Sequence, residues 1–206
     1  STRMIAGPSA TNSELELVAE GPAIILVEPQ LGENIGMVAR AMANFGLAEL
    51  RLVNPRDGWP SEKARAAASK ADHVIDATKV FETLEEAIKD LNFVYATTAR
   101  ERYGFKPVRA PVTAAETLRQ KFKTGERTGI LFGRERWGLT NEEVALADEI
   151  VTFPVNPAFA SLNIAQAVLL MSYEWMKSGM DDLGETLFQS VEQRPSTKEQ
   201  VFGLFE

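Results

Sequence analysis

Short apolar runs that alternate with stretches of helical pattern constrain this chain more than any other feature. The runs are "AIILVE" (23–28), "LRLVNP" (50–55), "HVIDA" (73–77), "FVYATTA" (93–99), "GILFG" (129–133) and "EIVTFPV" (149–155). Between them lie "NIGMVARAMANFG" (34–46), "SEKARAAASKA" (61–71), "TLEEAIKDL" (83–91), "TAAETLRQKFK" (113–123) and "TNEEVALA" (140–147), and the apolar "LNIAQAVLLMSYEWM" (162–176) closes the series. Strands separated by helices predict an α/β domain with a parallel sheet, right-handed crossovers and helices on both faces.

The alternation divides the chain into a short N-terminal extension (1–20), one α/β domain (21–178) and a tail (179–206). "GMDDLGETLFQSVEQRP" (179–195) reads as a linker of weak structure. "STKEQVFGLFE" then opens a helix, with start signals at Ser196 and Glu199 and at Thr197 and Gln200, but stops within an apolar pattern, as the first turns of a longer helical segment would. Cysteine is absent and His73 is the single histidine, so neither a thiolate nor a His-rich metal site is expected. His73 opens the predicted strand "HVIDA" and reads as structural. With no apolar run of membrane-spanning length and no signal peptide pattern, a cytoplasmic protein without a membrane partner is expected.

Net charge is −7, which by itself argues against nucleic acid. The charge is unevenly spread, however. Residues 100–136 carry 10 Lys and Arg against 4 Asp and Glu, a basic segment inside an acidic chain. That segment suits a phosphate-binding surface, or the solvated face of a helix.

In an open α/β sheet, ligands bind where strands end, in loops rich in glycine and small polar residues. Three such loops stand out. "GENIG" (32–36) follows the first run, without the GxGxxG spacing of a dinucleotide site, and no GxxxxGK[ST] loop occurs. Asn34 is the expected N-cap of the helix after it and Gly46 its C-terminal stop, with Val38, Ala41, Met42 and Phe45 on the apolar stripe. Arg40 falls on another face with Gly36, Ala43 and Asn44, either snorkelling to solvent or held over a phosphate or hydroxyl. "FGRERWGL" (132–139) sets two glycines around Arg134, Glu135 and Arg136. "NPAFASLNIAQAV" (156–168) places Ser161, Leu162 and Asn163 where backbone N–H groups open the long helix.

Together and in this order, the loops resemble the three sequence motifs of the SpoU/TrmH branch of the SPOUT RNA methyltransferases. Asn34, Gly36 and Arg40 match the first, Gly133, Glu135, Gly138 and Leu139 the second, and Pro157, Ser161, Leu162 and Asn163 the third. The resemblance runs from about residue 21 to 176. "ATTARER" (96–102) and the form "NPAFASLN" look like the TrmJ subgroup, which methylates tRNA.

The resemblance implies a SPOUT fold with a deep C-terminal trefoil knot, an exception to the usual absence of knots. It implies a homodimer with each site near the subunit interface, and S-adenosylmethionine as cofactor without a metal. The pocket would be lined by Thr97, Thr98, Ala99, Gly133, Phe153, Ser161 and Leu162, with glycine at 133 for a close approach to adenosine. Ala165, Val168 and Leu169 would serve knot and dimer packing. Arg40 would act at the ribose whose 2′-oxygen is methylated, assisted by Asn34, Glu135, Ser161 and Asn163. Arg40, Arg100, Arg102, Lys106 and Arg109 would contact RNA. The implied reaction is 2′-O-methylation of tRNA at the first residue of the anticodon loop, against the alternatives of a ribosomal RNA target or a non-catalytic RNA-binding protein.

Overall fold

The computed structural model describes residues 19–98, 106–180, 196–201 and 203. Seven parallel strands form one sheet: β1 (Ala23–Val27), β2 (Leu50–Val53), β3 (Lys79–Phe81), β4 (Phe93–Thr97), β5 (Val108–Arg109), β6 (Thr128–Phe132) and β7 (Glu149–Val151). Their spatial order is β3-β2-β1-β6-β4-β7-β5. The chain therefore lays down β4 and β5 first and later inserts β6 between β1 and β4, and β7 between β4 and β5.

Side chains of β1 alternate between two cores, as the period of two requires. Ile24 and Leu26 face the layer formed by α1 (Gly32–Asn44), α2 (Glu62–Ala67), α3 (Asp72–Ala77), α5 (Pro111–Lys123) and α7 (Ile164–Ser178). Ala23, Ile25 and Val27 face α4 (Leu84–Ile88) and α6 (Asn141–Ala145). Five consecutive apolar residues thus mark a strand covered on both faces. Full burial of each Ile or Leu contributes about 1.5–3 kcal/mol. A further turn, α8 (Lys198–Val201), lies in the tail. No described helix is long and apolar enough to cross a membrane.

Three expectations are corrected. "HVIDA" is not a strand but part of α3, whose adjacent Val74 and Ile75 are both buried. Its β-branched pair suggested a strand, but packing against α1 and α2 overrides that propensity. The strand is the following triplet, Lys79–Phe81, exposed at the sheet edge. His73, half-buried, therefore sits on a helix. The "EIVTFPV" strand is cut to Glu149–Val151, because its partners β4 and β5 end opposite Val151, at Thr97 and Arg109. Finally, "RERYGFKPVRAP" (100–111), which by its polar composition reads as a loop, contains β5, where Pro107 O accepts from Ile150 N (2.9 Å) and Arg109 O from Thr152 N (3.0 Å).

Candidate active site

The strand insertions bring distant segments together. Because β6, β4 and β7 are neighbours, the residues after their carboxyl ends emerge side by side at one edge. Thr97 is buried and its hydroxyl donates to Leu131 O at 2.7 Å. Thr98 N donates to Val151 O at 3.1 Å, and the Thr152 hydroxyl donates to Thr98 O at 3.1 Å. Phe153, partly buried, packs on the larger core. Ala99, Arg100 and Arg102 lie outside the described residues.

The loop leaving β6 is a tight hairpin. Arg134 N donates to Gly138 O (3.2 Å), Gly138 N to Arg134 O (2.9 Å) and Trp137 N to Glu135 O (2.9 Å). Gly138 (φ +71°) and Arg136 (φ +74°) both adopt left-handed backbone, common for glycine and rare for arginine. The space a side chain on Gly133 would need is filled by the hairpin itself, with Gly138 C only 2.2 Å from an added Cβ. Glycine at 133 therefore has a reason within the fold, in addition to any approach of a ligand.

Arg134 locks this hairpin. Its guanidinium makes a two-pronged contact with Glu143 (2.8 and 2.9 Å), donates to Gly138 O (3.2 Å) and pairs with Glu28. Burial alone would raise the Glu143 carboxyl, but Arg134 and the Thr140 amide and hydroxyl outweigh it and hold it below the usual carboxylate value. The predicted Thr140–Glu143 capping box is present. Sequence reasoning saw that cap but not the second use of Glu143, and it missed Glu28 because nothing local links residues 28 and 134.

Glu135 is thereby aimed at the first motif. Its carboxylate accepts from Gln30 N at 2.9 Å and from Asn34 Nδ2 at 3.2 Å. Asn34 is not the N-cap expected for α1: Leu31 holds that position without a side-chain cap, and Asn34 lies in the first turn. Its amide is consequently available to Glu135.

Arg40 stands apart from that contact. It lies six residues after Asn34, about 9 Å further along the helix axis, on an exposed face with Glu33, Met37 and Asn44. Gly36, expected beside it, is instead buried against α2, where an added Cβ would meet Ala64 O at 2.2 Å. The small residue serves helix packing, and the open neighbours of Arg40 are polar or flexible.

The third loop ends in a helix cap. Asn163 Oδ1 accepts from Gln166 N (2.8 Å) while Gln166 Oε1 accepts from Asn163 N (3.0 Å). The carboxamide oxygen of Asn163 is thus occupied in a capping box. Ser161 is exposed and Leu162 half-buried. Beyond the cap, Val168 and Met171 are consumed by the protein's own core and Ala165 packs partly against it, but Leu169, Leu170 and Tyr173 remain exposed. Lys106 donates to Ala147 O (2.6 Å), near where β7 begins, and Arg109 pairs with Glu149 at 3.2 Å.

A concavity of about 350 Å³ on the far side of the β6 hairpin is lined by Glu28, Glu82, Glu85, Glu142 and Glu143 around Arg134. Its acidic lining is unsuited to phosphate.

This arrangement defines an α/β domain with inserted central strands and a site built from loops at their carboxyl ends. The SpoU rRNA Methylase family matches residues 21–173, and the chain belongs to that family. The tRNA (cytidine/uridine/adenosine-2'-O-)-methyltransferase TrmJ of Pseudomonas aeruginosa (strain UCBPP-PA14) is 40% identical over 151 residues, covering 73% of this chain and 58% of the relative. The tRNA (cytidine-2'-O-)-methyltransferase TrmJ of Methanocaldococcus jannaschii is 36% identical over 151 residues, 73% of this chain and 65% of the relative. The chain thus spans 58 to 65% of the length of these curated relatives. The crystal structure of TrmJ from Z. mobilis ZM4 superposes with a TM-score of 0.73 at 57% identity, over 79% of this chain and 70% of that one.

Proposed function

We propose that this chain is the catalytic part of an S-adenosylmethionine-dependent RNA ribose 2′-O-methyltransferase that acts on tRNA, with the first residue of the anticodon loop as its target. The observation that carries this reading is the Asn34–Glu135 contact (3.2 Å), which joins the first and second motifs of the family across 101 positions. The TrmJ relatives named for tRNA 2'-O-methylation support the substrate class.

The residues fit the cofactor. The segments assigned to it (Thr97 and Thr98, Gly133, and Phe153 with Ser161 and Leu162) lie at or after the carboxyl ends of the three adjacent strands β4, β6 and β7. Half-buried Phe153 and Leu162 offer apolar surface to an adenine, and the Ser161 hydroxyl offers a polar partner. The cofactor supplies the activated methyl group. The protein holds the ribose for in-line approach and eases charge on its 2′-oxygen. Arginine is too weak an acid to serve as a base at neutral pH. Arg40 therefore binds RNA phosphate and stabilises the developing negative charge. Glu135 and Asn34 hold the loop that frames the site, Asn163 caps the helix behind it, and Ser161 lies at the loop surface.

The active form is a homodimer in the cytoplasm, with the exposed strip Leu169, Leu170 and Tyr173 at the subunit interface and a deep C-terminal trefoil knot as its scaffold. Arg100, Arg102, Lys106 and Arg109 extend the RNA contacts.

Incubation with labelled S-adenosylmethionine and either tRNA or ribosomal RNA, followed by mapping of the label, tests the reading. Label in a ribose of the tRNA anticodon loop is expected, and label confined to ribosomal RNA would reassign the substrate. Arg40→Ala should reduce the rate by on the order of a hundredfold with folding unchanged; full activity in that variant refutes its role.

A further inference from the structure

The two most exposed large apolar side chains among the described residues are both aromatic: Phe159 at 81% and Trp137 at 67% of their surface. Both sit on loops at the carboxyl edge of the sheet. Trp137 lies two residues after Glu135, and Phe159 two residues before Ser161. Leaving such rings in water forfeits the stabilisation that burial would give.

Their exposure does not follow from loose loops. Trp137 rides on the hairpin closed by the paired Arg134 and Gly138 backbones and clamped by Arg134 to Glu143. Phe159 N donates to Asn156 O at 2.9 Å, and Ala158 N donates to Asn156 Oδ1 at 2.9 Å, so Phe159 too is presented by a hydrogen-bonded turn. The rings are held outward on backbones with little freedom to fold them away.

Their surroundings indicate what covers them. The Arg136 guanidinium lies 5.4 Å from the Trp137 ring centroid, and Arg134 beside it is already neutralised by carboxylates while Arg136 makes no ion pair among the described residues. Along the chain, Trp137 lies between Arg136 and Gly138 and Phe159 between Ala158 and Ala160, polar or small neighbours that do not extend either ring into an apolar patch, which disfavours a protein face as occupant. A single strand of nucleic acid presents the complement, bare π-faces at intervals along a negatively charged backbone.

Resting on the RNA reading above, we propose that Trp137 and Phe159 are stacking positions for unpaired nucleobases of the RNA strand that carries the target ribose, with Trp137 the stronger. A stacking contact accepts any base, so these residues supply affinity and hold the strand extended across the site without choosing its sequence.

The test is the binding of labelled tRNA and of a short labelled oligouridylate to the 206-residue chain, read by fluorescence anisotropy. Trp137→Ala should weaken both complexes by roughly five- to a hundredfold, and Phe159→Ala by about fivefold, in line with the loss of one stacked base each. Trp137→Phe should stay within about threefold of the parent because a ring remains. The slope of affinity against salt should not change, since no cation is removed, and calorimetric affinity for S-adenosylmethionine should be unaltered. Parent-like binding by Trp137→Ala overturns the stacking role and leaves the RNA reading standing. A loss of binding accompanied by a slower-sedimenting protein overturns it too, because Trp137 would then be a contact between copies. A parent chain that binds no tRNA overturns both readings.

Discussion

Two charged networks lie at opposite ends of the sheet and use the same residue types differently. At the amino end, Arg51 on β2 is 1% exposed, donates to Ala87 O and Asp90 Oδ1 (both 2.6 Å), and reaches Glu49 at 3.2 Å. Arg127 closes the ring through the same Asp90 and Glu49. At the carboxyl end, Arg134 is equally committed to Glu28 and Glu143, but the hairpin it locks turns Glu135 toward Asn34 and leaves Arg136 and Trp137 exposed. The first network spends its charge on closing the fold; the second spends it on rigidity so that neighbours can remain exposed. A buried arginine is thus no guide to function until its neighbours are examined.

The largest expected effect comes from breaking the carboxyl-end hairpin. Gly133→Val drives a side chain into the backbone of Gly138 and Leu139, with the first Cβ contact already at 2.2 Å. Calorimetric titration should show loss of S-adenosylmethionine binding, whereas unchanged affinity would mean that the pocket lies elsewhere.

Breaking the amino-end network should do the converse, costing stability and sparing ligand binding. Arg51→Ala removes the buried partner of Asp90 and Glu49, which stay part-exposed and paired with Arg127, so denaturant unfolding should report a loss of about 1.5–3 kcal/mol. Its pH dependence sharpens the contrast. Hydrogen bonds from Arg51 are the main cause that lowers the Asp90 carboxyl from 3.8 to about 2. A depressed carboxylate stabilises the fold above its unfolded value, so this contribution is complete above about pH 4 and disappears as pH falls through 2. The parent should lose more stability over that window than Arg51→Ala does; equal losses would show that Asp90 is not the group responsible.

The smallest effect is expected from the basic segment that follows β4 in the sequence. Removing the charges of Arg100 and Arg102 together should weaken tRNA binding several-fold and flatten its salt dependence, with S-adenosylmethionine affinity unchanged. An unchanged salt slope would make that basic segment a solvated surface and leave phosphate binding to Arg40 and its neighbours.

Much of the fold was legible because its signals are local. "AIILVE" and "GILFG" read as strands and are strands, and the Thr140–Glu143 cap was readable from two residues three apart. "HVIDA" misled for the same reason, since a six-residue helix has too few turns to show a period against two adjacent β-branched residues. In the candidate site, the three motifs drew attention to loops that follow β1, β6 and β7, but Asn34 looked like a cap and Gly36 like an open face. Only the position of Leu31 at the helix start and of α2 against α1 corrected those two readings.

By itself the sequence determined the alternation of strands and helices, the absence of thiolate chemistry, and the identity of the residues available for a site. Periodicity, capping and composition act over a few residues and are therefore written in local order. The tertiary structure alone decided that β6 and β7 enter between strands laid down earlier, that Glu135 meets Asn34, and that Arg134 is a lock while Trp137 stays exposed. These are contacts between segments up to about a hundred positions apart. Their geometry depends on how all the segments pack together on the sheet, a balance of non-local contacts that no short stretch of sequence records.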